Sequence, residues 1–317
     1  MSVVAAPTQL LKGLQSTFIE ALTAMPVRNQ IFDTAATYVN STHDDEDYAW
    51  IGEAPQVSEF VDEVQFDALS DAEYSLINKK FTAGLQVKRD DLSDETTGGI
   101  RQRIMDLAAR ALRHSEKQLT DALINGDVNA SVDQGGGICY DGVTFFNATH
   151  PIRGKQTATQ SNLVTYTGNT TAQAQEDLKN AIAALMNMLD EAGEPLNEYC
   201  DEFYVIYPPA LNKCITEAIS AGVVSQTSNV QFTGLRWTLI PAPRLTSDAT
   251  NAYYVGCNCP GAALKALIYQ DREPVTFEAL EAGSGSDTAF MREVYSYKVR
   301  KRSVAGYGRW QRMVKIV

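Results

Sequence analysis

Residues 100–125 read IRQRIMDLAARALRHSEKQLTDALIN, and their apolar spacing predicts one long helix. Ile104, Leu107, Ala108, Ala111, Leu112, Leu119, Ala122 and Leu123 share one side, and Asn125-Gly126 supplies the stop. At 1.5 Å per residue such a helix is roughly 40 Å long. Arg103, Arg110, His114 and Lys117 recur along another face, partly countered by Asp106 and Asp121, which is the pattern of a solvated side.

Outward from this helix the periodicity changes. Thr8 to Met25 carries a second amphipathic stripe (Leu10, Leu11, Leu14, Phe18, Ile19, Leu22) that stops at Pro26. From Val39 to Asp71 no helical period survives. Thr42 to Asp47 is an acidic run, and Trp50, Ile51, Phe60, Val61, Val64 and Phe66 are strung along a stretch that reads as a long hairpin or loop. Tyr74, Leu76, Phe81, Leu85 and Val87 then alternate with polar residues as a returning strand that ends at Asp90-Asp91. On the other side of the helix, Asp127 to Lys155 is turn-rich, with Gly135-Gly136-Gly137 and Asp141-Gly142, and reads as an irregular connector. Helices are expected at Ala172 to Leu189 and from Pro208-Pro209 to Ala221. Strands are expected at Phe203 to Tyr207, Leu235 to Ile240 and Ala252 to Val255. Val275 to Leu280 and Phe290 to Arg302 form a closing hairpin, with Tyr295, Tyr297 and Val299 on one face and Lys298, Arg300 and Arg302 on the other. The fold class is α+β.

Composition narrows the function classes. The chain has 317 residues, 44% hydrophobic and 21% charged, enough for one large or two ordinary domains. No window approaches the ~18 uninterrupted apolar residues of a membrane span, and the amino end lacks a charged and apolar leader pattern, so a cytoplasmic, non-membrane product is expected. A net charge of -12 argues against a whole-body grip on nucleic acid. The charge is also polarised: Ser41 to Glu95 holds 15 acids against 4 bases, while Arg292 to Val317 holds 8 bases and one acid. Opposite signs on separate segments suit either head-to-tail association of copies or a contact within the chain.

Sites for chemistry are few. Cys139, Asp141 and His150 share one loop and offer a nucleophile, an orienter and a base, but a glycine-flanked loop preorganises them poorly, and a turn with a buried thiol is the favoured reading. Cys257-x-Cys259 lacks the paired spacing of structural zinc, and Gly135-Gly136-Gly137 lacks the lysine of a phosphate cradle. Five cysteines at irregular spacing are expected to be reduced. The basic strand with Tyr295, Tyr297, Tyr307 and Trp310 places bases and aromatics on opposite faces, unlike a nucleic-acid platform. No enzyme, metal or cofactor is expected.

Tyr48-Ala49-Trp50-Ile51-Gly52-Glu53, Asn78-Lys79-Lys80-Phe81, Val87-Lys88-Arg89-Asp90-Asp91-Leu92, Tyr140-Asp141-Gly142 with Phe145-Phe146 and Thr149-His150-Pro151, and Tyr207-Pro208-Pro209-Ala210-Leu211 occur in this order. In that order and spacing the chain resembles the Mu-like phage major head subunit family, gpT, with Phe60 where that family is expected to prefer tryptophan. The resemblance implies the Hong Kong 97 type phage capsid fold: an amino-terminal arm over 1–47, an E-loop over 48–81, a peripheral domain over 82–169 with its spine helix at 100–125, an axial domain over 170–266, and return strands of the peripheral domain over 267–317. It implies a major capsid protein that assembles into an icosahedral shell of pentamers and hexamers around packaged double-stranded DNA, without sequence-specific DNA binding. Scaffolding protein and portal are implied as partners, a decoration protein is compatible, and the location is the virion, with the host cytoplasm before assembly. Trp50, Glu53, Glu59, Phe60, Asp62, Glu63, Lys298, Arg300 and Arg302 are the expected subunit contacts. An encapsulin-like compartment shell shares the implied fold, and a cysteine hydrolase using Cys139 and His150 is the enzyme alternative.

Overall fold

The computed structural model describes residues 16–23, 30–48, 74–88, 90–91, 99–152, 159–190, 193–220, 223–224, 227–228, 234–247, 252–260, 264–280, 291 and 293–317. Two sheets organise them. The first has four strands in the order Ala36–Asn40, Leu267–Leu280, Val294–Tyr307, Lys79–Lys88, antiparallel except where Ala36–Asn40 runs parallel to its neighbour. The second has five, in the order Arg236–Pro241, Glu202–Tyr207, Tyr253–Asn258, Met313–Ile316, Leu163–Val164. Two strands of this second sheet therefore come from outside residues 170–266.

The closing hairpin forms as its alternation requires. Tyr295, Tyr297 and Val299 are buried while Lys298 is exposed and Arg300 and Arg302 are half-buried. The hairpin is longer than the sequence suggests, and its register shifts between Asp271 and Thr276, the kind of irregularity that bends a ladder. One end of it packs a small core with Phe18, Val87, Ile100, Ile104 and Ala108, in which Phe277 stacks on Phe18 at 4.7 Å. Of the predicted first helix, residues 16–23 are described and helical, and Phe18 and Ala21 face this core. The rest of that helix and the residues that join the two hairpin strands, 281–290, lie outside the described residues.

The helix expected over 100–125 is divided into Gly99–Leu112 and His114–Ile124. Its hydrogen bonds continue across the join, since Arg113 N–H donates to Ala109 O and Lys117 N–H to Arg113 O, each at 3.1 Å. The two halves serve different cores. Ile100, Ile104 and Ala108 enter the small core, whereas Leu119 and Leu123 enter the large one with Phe145, Phe146, Tyr254 and Tyr307. Glu116 on the second half accepts from the N–H groups of Ile31 and Phe32, at 2.9 and 3.2 Å. Burial raises its carboxyl above the ordinary range, and these two hydrogen bonds oppose the shift.

The second sheet forms around Glu202–Tyr207, whose last five residues are all buried, the signature of a strand covered on both faces. Thr171–Met186 packs on Asn212–Ser220 and on three strands of that sheet, Tyr253–Asn258, Met313–Ile316 and Leu163–Val164. It starts with a capping box: Thr170 Oγ1 accepts from Gln173 N–H, and Gln173 Oε1 accepts from Thr170 N–H. The connector is irregular, as expected. Its glycines are there for close approach, because a Cβ on Gly136 would meet Ala130 O at 2.1 Å and one on Gly137 would meet Gly126 O at 2.4 Å. The expectation of five reduced thiols is corrected: Cys200 and Cys259 form a disulfide, with Cα atoms 4.5 Å apart. Spacing hid it because 59 residues separate the partners. Among the described residues no helix is long and apolar enough to cross a membrane.

Thr170→Ala removes the cap acceptor at an exposed helix start. The expected loss is about 1 kcal/mol, read as a lower urea midpoint with an unchanged slope.

Candidate functional site

The expected contact region divides into a stem, the segment 49–73 and a basic row. The stem is the short pairing of Asp45–Asp47 with Ser75–Ile77. At its end Tyr48 N–H donates to Tyr74 O at 2.7 Å, and both tyrosines are buried. Tyr48 Oη donates to Gln270 Oε1 at 2.7 Å, Gln270 Nε2 donates to Leu76 O at 3.2 Å, and Tyr307 N–H donates to Tyr74 Oη at 2.9 Å. Burial lifts both phenols above their usual range, so they remain neutral donors and acceptors. Tyr48 and Tyr74, which flank residues 49–73 in the sequence, are thereby both tied to Gln270 and Tyr307 or to their neighbours in the stem. The sequence between them, 49–73, carries Glu53, Glu59, Asp62, Glu63, Asp67, Asp71 and Glu73 and no lysine or arginine. Trp50, Glu53, Glu59, Phe60, Asp62 and Glu63 lie outside the described residues.

The basic row is described, and its partners are in its own chain. Lys298 Nζ lies 2.7 Å from Glu278, directly opposite it in the hairpin register, and Arg300 lies 3.1 Å from Glu273. Arg302 reaches Glu273 at 3.4 Å and also pairs with Asp44 at the foot of the stem. The Arg302 guanidinium holds the Asp44 carboxyl below the ordinary range, and the Lys298 ammonium does the same to Glu278. The acidic run and the basic strand thus meet inside one subunit at Asp44 and Arg302. Alternation along the hairpin showed the basic row, and Glu278 could have been found by counting across it. Asp44 could not, because only the folded stem brings it there.

The loop triad is assembled in an order that is wrong for catalysis. Cys139 Sγ donates to Asp141 Oδ1 at 2.8 Å, His150 Nδ1 meets Asp141 Oδ2 at 2.6 Å, and Val143 N–H donates to Asp141 Oδ1 at 3.2 Å. The carboxylate stands between thiol and imidazole, so the thiol hydrogen-bonds the weakly basic carboxylate and not the imidazole. Burial, then the nearby Asp141 charge, pushes the Cys139 thiol well above its usual range and opposes the thiolate. His150 is fully buried and stacks on Trp310 with ring centroids 3.9 Å apart. These contacts join the connector to the carboxy-terminal segment.

The sequence profile of the Mu-like prophage major head subunit gpT matches residues 8–174 and 242–316, well over half of the chain. The chain belongs to the Mu-like prophage major head subunit gpT family. A relative from Haemophilus influenzae (strain ATCC 51907 / DSM 11121 / KW20 / Rd), the Mu-like prophage FluMu major head subunit, is 24% identical over 302 residues, which is 95% of this chain and 70% of the relative. The procapsid subunit of bacteriophage JBD30 superposes with a TM-score of 0.55 at 21% identity, covering 98% of this chain and 75% of that one. The mature capsid subunit of bacteriophage PhiM1 also gives 0.55, at 10% identity, covering 92% and 87%. The gpT-family chain therefore has the Hong Kong 97 type phage capsid fold, and its function is that of a structural head subunit, not an enzyme. Neither the compartment shell nor the cysteine hydrolase is favoured by these relatives.

Depressed carboxyls contribute stability above their unfolded pKa, and lose it as pH falls through the folded value. Acidification below about pH 4 therefore releases Asp44 and Glu278 from Arg302 and Lys298. Reversing Lys298, Arg300 and Arg302 to glutamate sets like charges against Glu278, Glu273 and Asp44 within the chain. The expected outcome is a lower thermal midpoint of the unassembled chain at pH 7, with the difference from wild type shrinking towards pH 3, followed by circular dichroism.

Proposed function

We propose that this head subunit assembles into a closed icosahedral shell of pentamers and hexamers that encloses packaged double-stranded DNA in the virion. It is made in the host cytoplasm, and scaffolding protein and portal take part in assembly. In this reading residues 1–47 are the arm, 48–81 the E-loop, 82–169 the peripheral domain, 170–266 the axial domain and 267–317 the return strands. The observation that carries it is the buried clamp at Tyr48 and Tyr74, which launches a wholly acidic, aromatic-bearing excursion from a firm base. Such a segment gains little from its own chain, and much from apolar surface on a neighbouring copy.

Trp50, Phe60 and their flanking acids Glu53, Glu59, Asp62 and Glu63 are the side chains assigned to that neighbour. The aromatic residues supply burial, and the acids supply register and exclusion of wrong docking. Lys298, Arg300 and Arg302, already paired at home, act at the contact as members of ion-pair groups. The net charge of -12 limits adhesion of packaged DNA to the wall, so enclosure needs no sequence-specific binding.

Electron microscopy of the purified chain, with co-expressed scaffold, is the direct test, and shells are expected. Trp50→Ala should reduce shell yield by weakening an apolar contact worth about 3 kcal/mol if fully buried, and leave the unassembled chain folded. A compact monomer at every concentration and salt tested, in the presence of scaffold, contradicts the reading.

A further inference from the structure

Three sulfurs converge at one end of the five-stranded sheet. Cys200 precedes Glu202–Tyr207 and Cys259 follows Tyr253–Asn258, and these strands are antiparallel with Asn258 opposite Glu202, so the bond crosses the end of the sheet's central pair. The third, Cys257, is fully buried, and its Sγ lies within 4.8 Å of the other two. Beside them Asn197, also fully buried, donates through Nδ2 to Leu185 O and Gln311 O, both at 2.8 Å, and Cys259 Sγ is 3.5 Å from its Oδ1. The bond thus fixes the point where the capped helix, the central strands and the carboxy-terminal segment meet.

A bond of this kind is out of place in a reducing cytoplasm. We propose that Cys200 and Cys259 are a redox-closed staple: thiols while the subunit is made and assembled, and a disulfide once the particle leaves the cell. This rests on the shell reading, which gives the protein two redox compartments in succession. In closure two S–H bonds break and one S–S bond forms, and molecular oxygen takes up two electrons and two protons as hydrogen peroxide. A small disulfide does the same by exchange and leaves as two thiols. Cys259 is half-buried at the strand end, which gives the oxidant an approach, whereas Cys257 is enclosed. Burial pushes the Cys257 thiol up to about 12, so its thiolate is scarce and attack on the finished bond is slow. The staple stays between Cys200 and Cys259.

The test is an intact-mass count of thiols in the full chain. One sample is trapped with N-ethylmaleimide in the producing cells, and the other is particles held in air and then denatured and alkylated. Five adducts are expected in the first and three in the second, with peptide mapping giving a Cys200 to Cys259 link. Cys257→Ser should keep the link. Cys259→Ser should abolish it and lower the melting temperature of air-exposed particles, but not of reduced ones, by on the order of 5 °C. Five free thiols in air-exposed particles, a link through Cys257, a link already closed in the trapped chain, or a zinc ion protecting the three sulfurs would each overturn the staple. A chain that closes the link in air yet never forms shells contradicts the shell reading, whereas shells with five free thiols contradict the staple alone.

Discussion

The fold hangs on the strand Val294–Tyr307 and above all on its last residue. Tyr297 and Val299 fill the small core from one half of this strand, while Val304, Ala305 and Tyr307 fill the large core from the other. The Tyr307 ring stacks on Phe145 at 4.8 Å, its Oη donates to Ala122 O at 2.8 Å, and its N–H donates to Tyr74 Oη. Connector, divided helix and stem are therefore held by one side chain and its backbone. The chain then needs only the short Trp310–Arg312 turn to enter the second sheet as Met313–Ile316. Relative placement of the two sheets follows from that short covalent path, with Trp310 buried against His150.

Much of this was legible in the sequence, because period-two and period-three-to-four patterns report which face is buried. The hairpin faces, the buried strand Glu202–Tyr207 and the stop near Asn125 come from such patterns. The division at Arg113 did not show, since the apolar stripe runs on unbroken and only the existence of two cores separates its halves. Nor did the disulfide, whose partners are set side by side by an antiparallel register and not by spacing. The loop residues Cys139, Asp141 and His150 are brought together as their shared loop suggested. Their order, with the carboxylate in the middle, is a matter of turn geometry that residue types do not encode.

Charge polarisation along the chain takes on a different meaning once the pairs are seen. Lys298, Arg300 and Arg302 are paired with Glu278, Glu273 and Asp44, and pairs this open to solvent add little to stability. They set the hairpin register and hold the stem against the strand more than they stabilise the chain. The acids beyond Tyr48 are a separate population. They share a segment with no cation of its own, so between copies they repel unless something else brings the surfaces together.

In the shell contact proposed above, that something is apolar burial. At 0.15 M salt the repulsion between exposed charges is screened beyond about 8 Å, so it acts only between charges nearly in contact, while burial of Trp50, Ile51, Phe60, Val61, Val64 and Phe66 does not depend on salt to first order. Ordering a segment of this length costs conformational entropy, and apolar burial against a neighbour offsets part of that cost. Weak contacts let misplaced subunits leave, and their repetition across a capsid shell turns marginal contacts into a stable lattice.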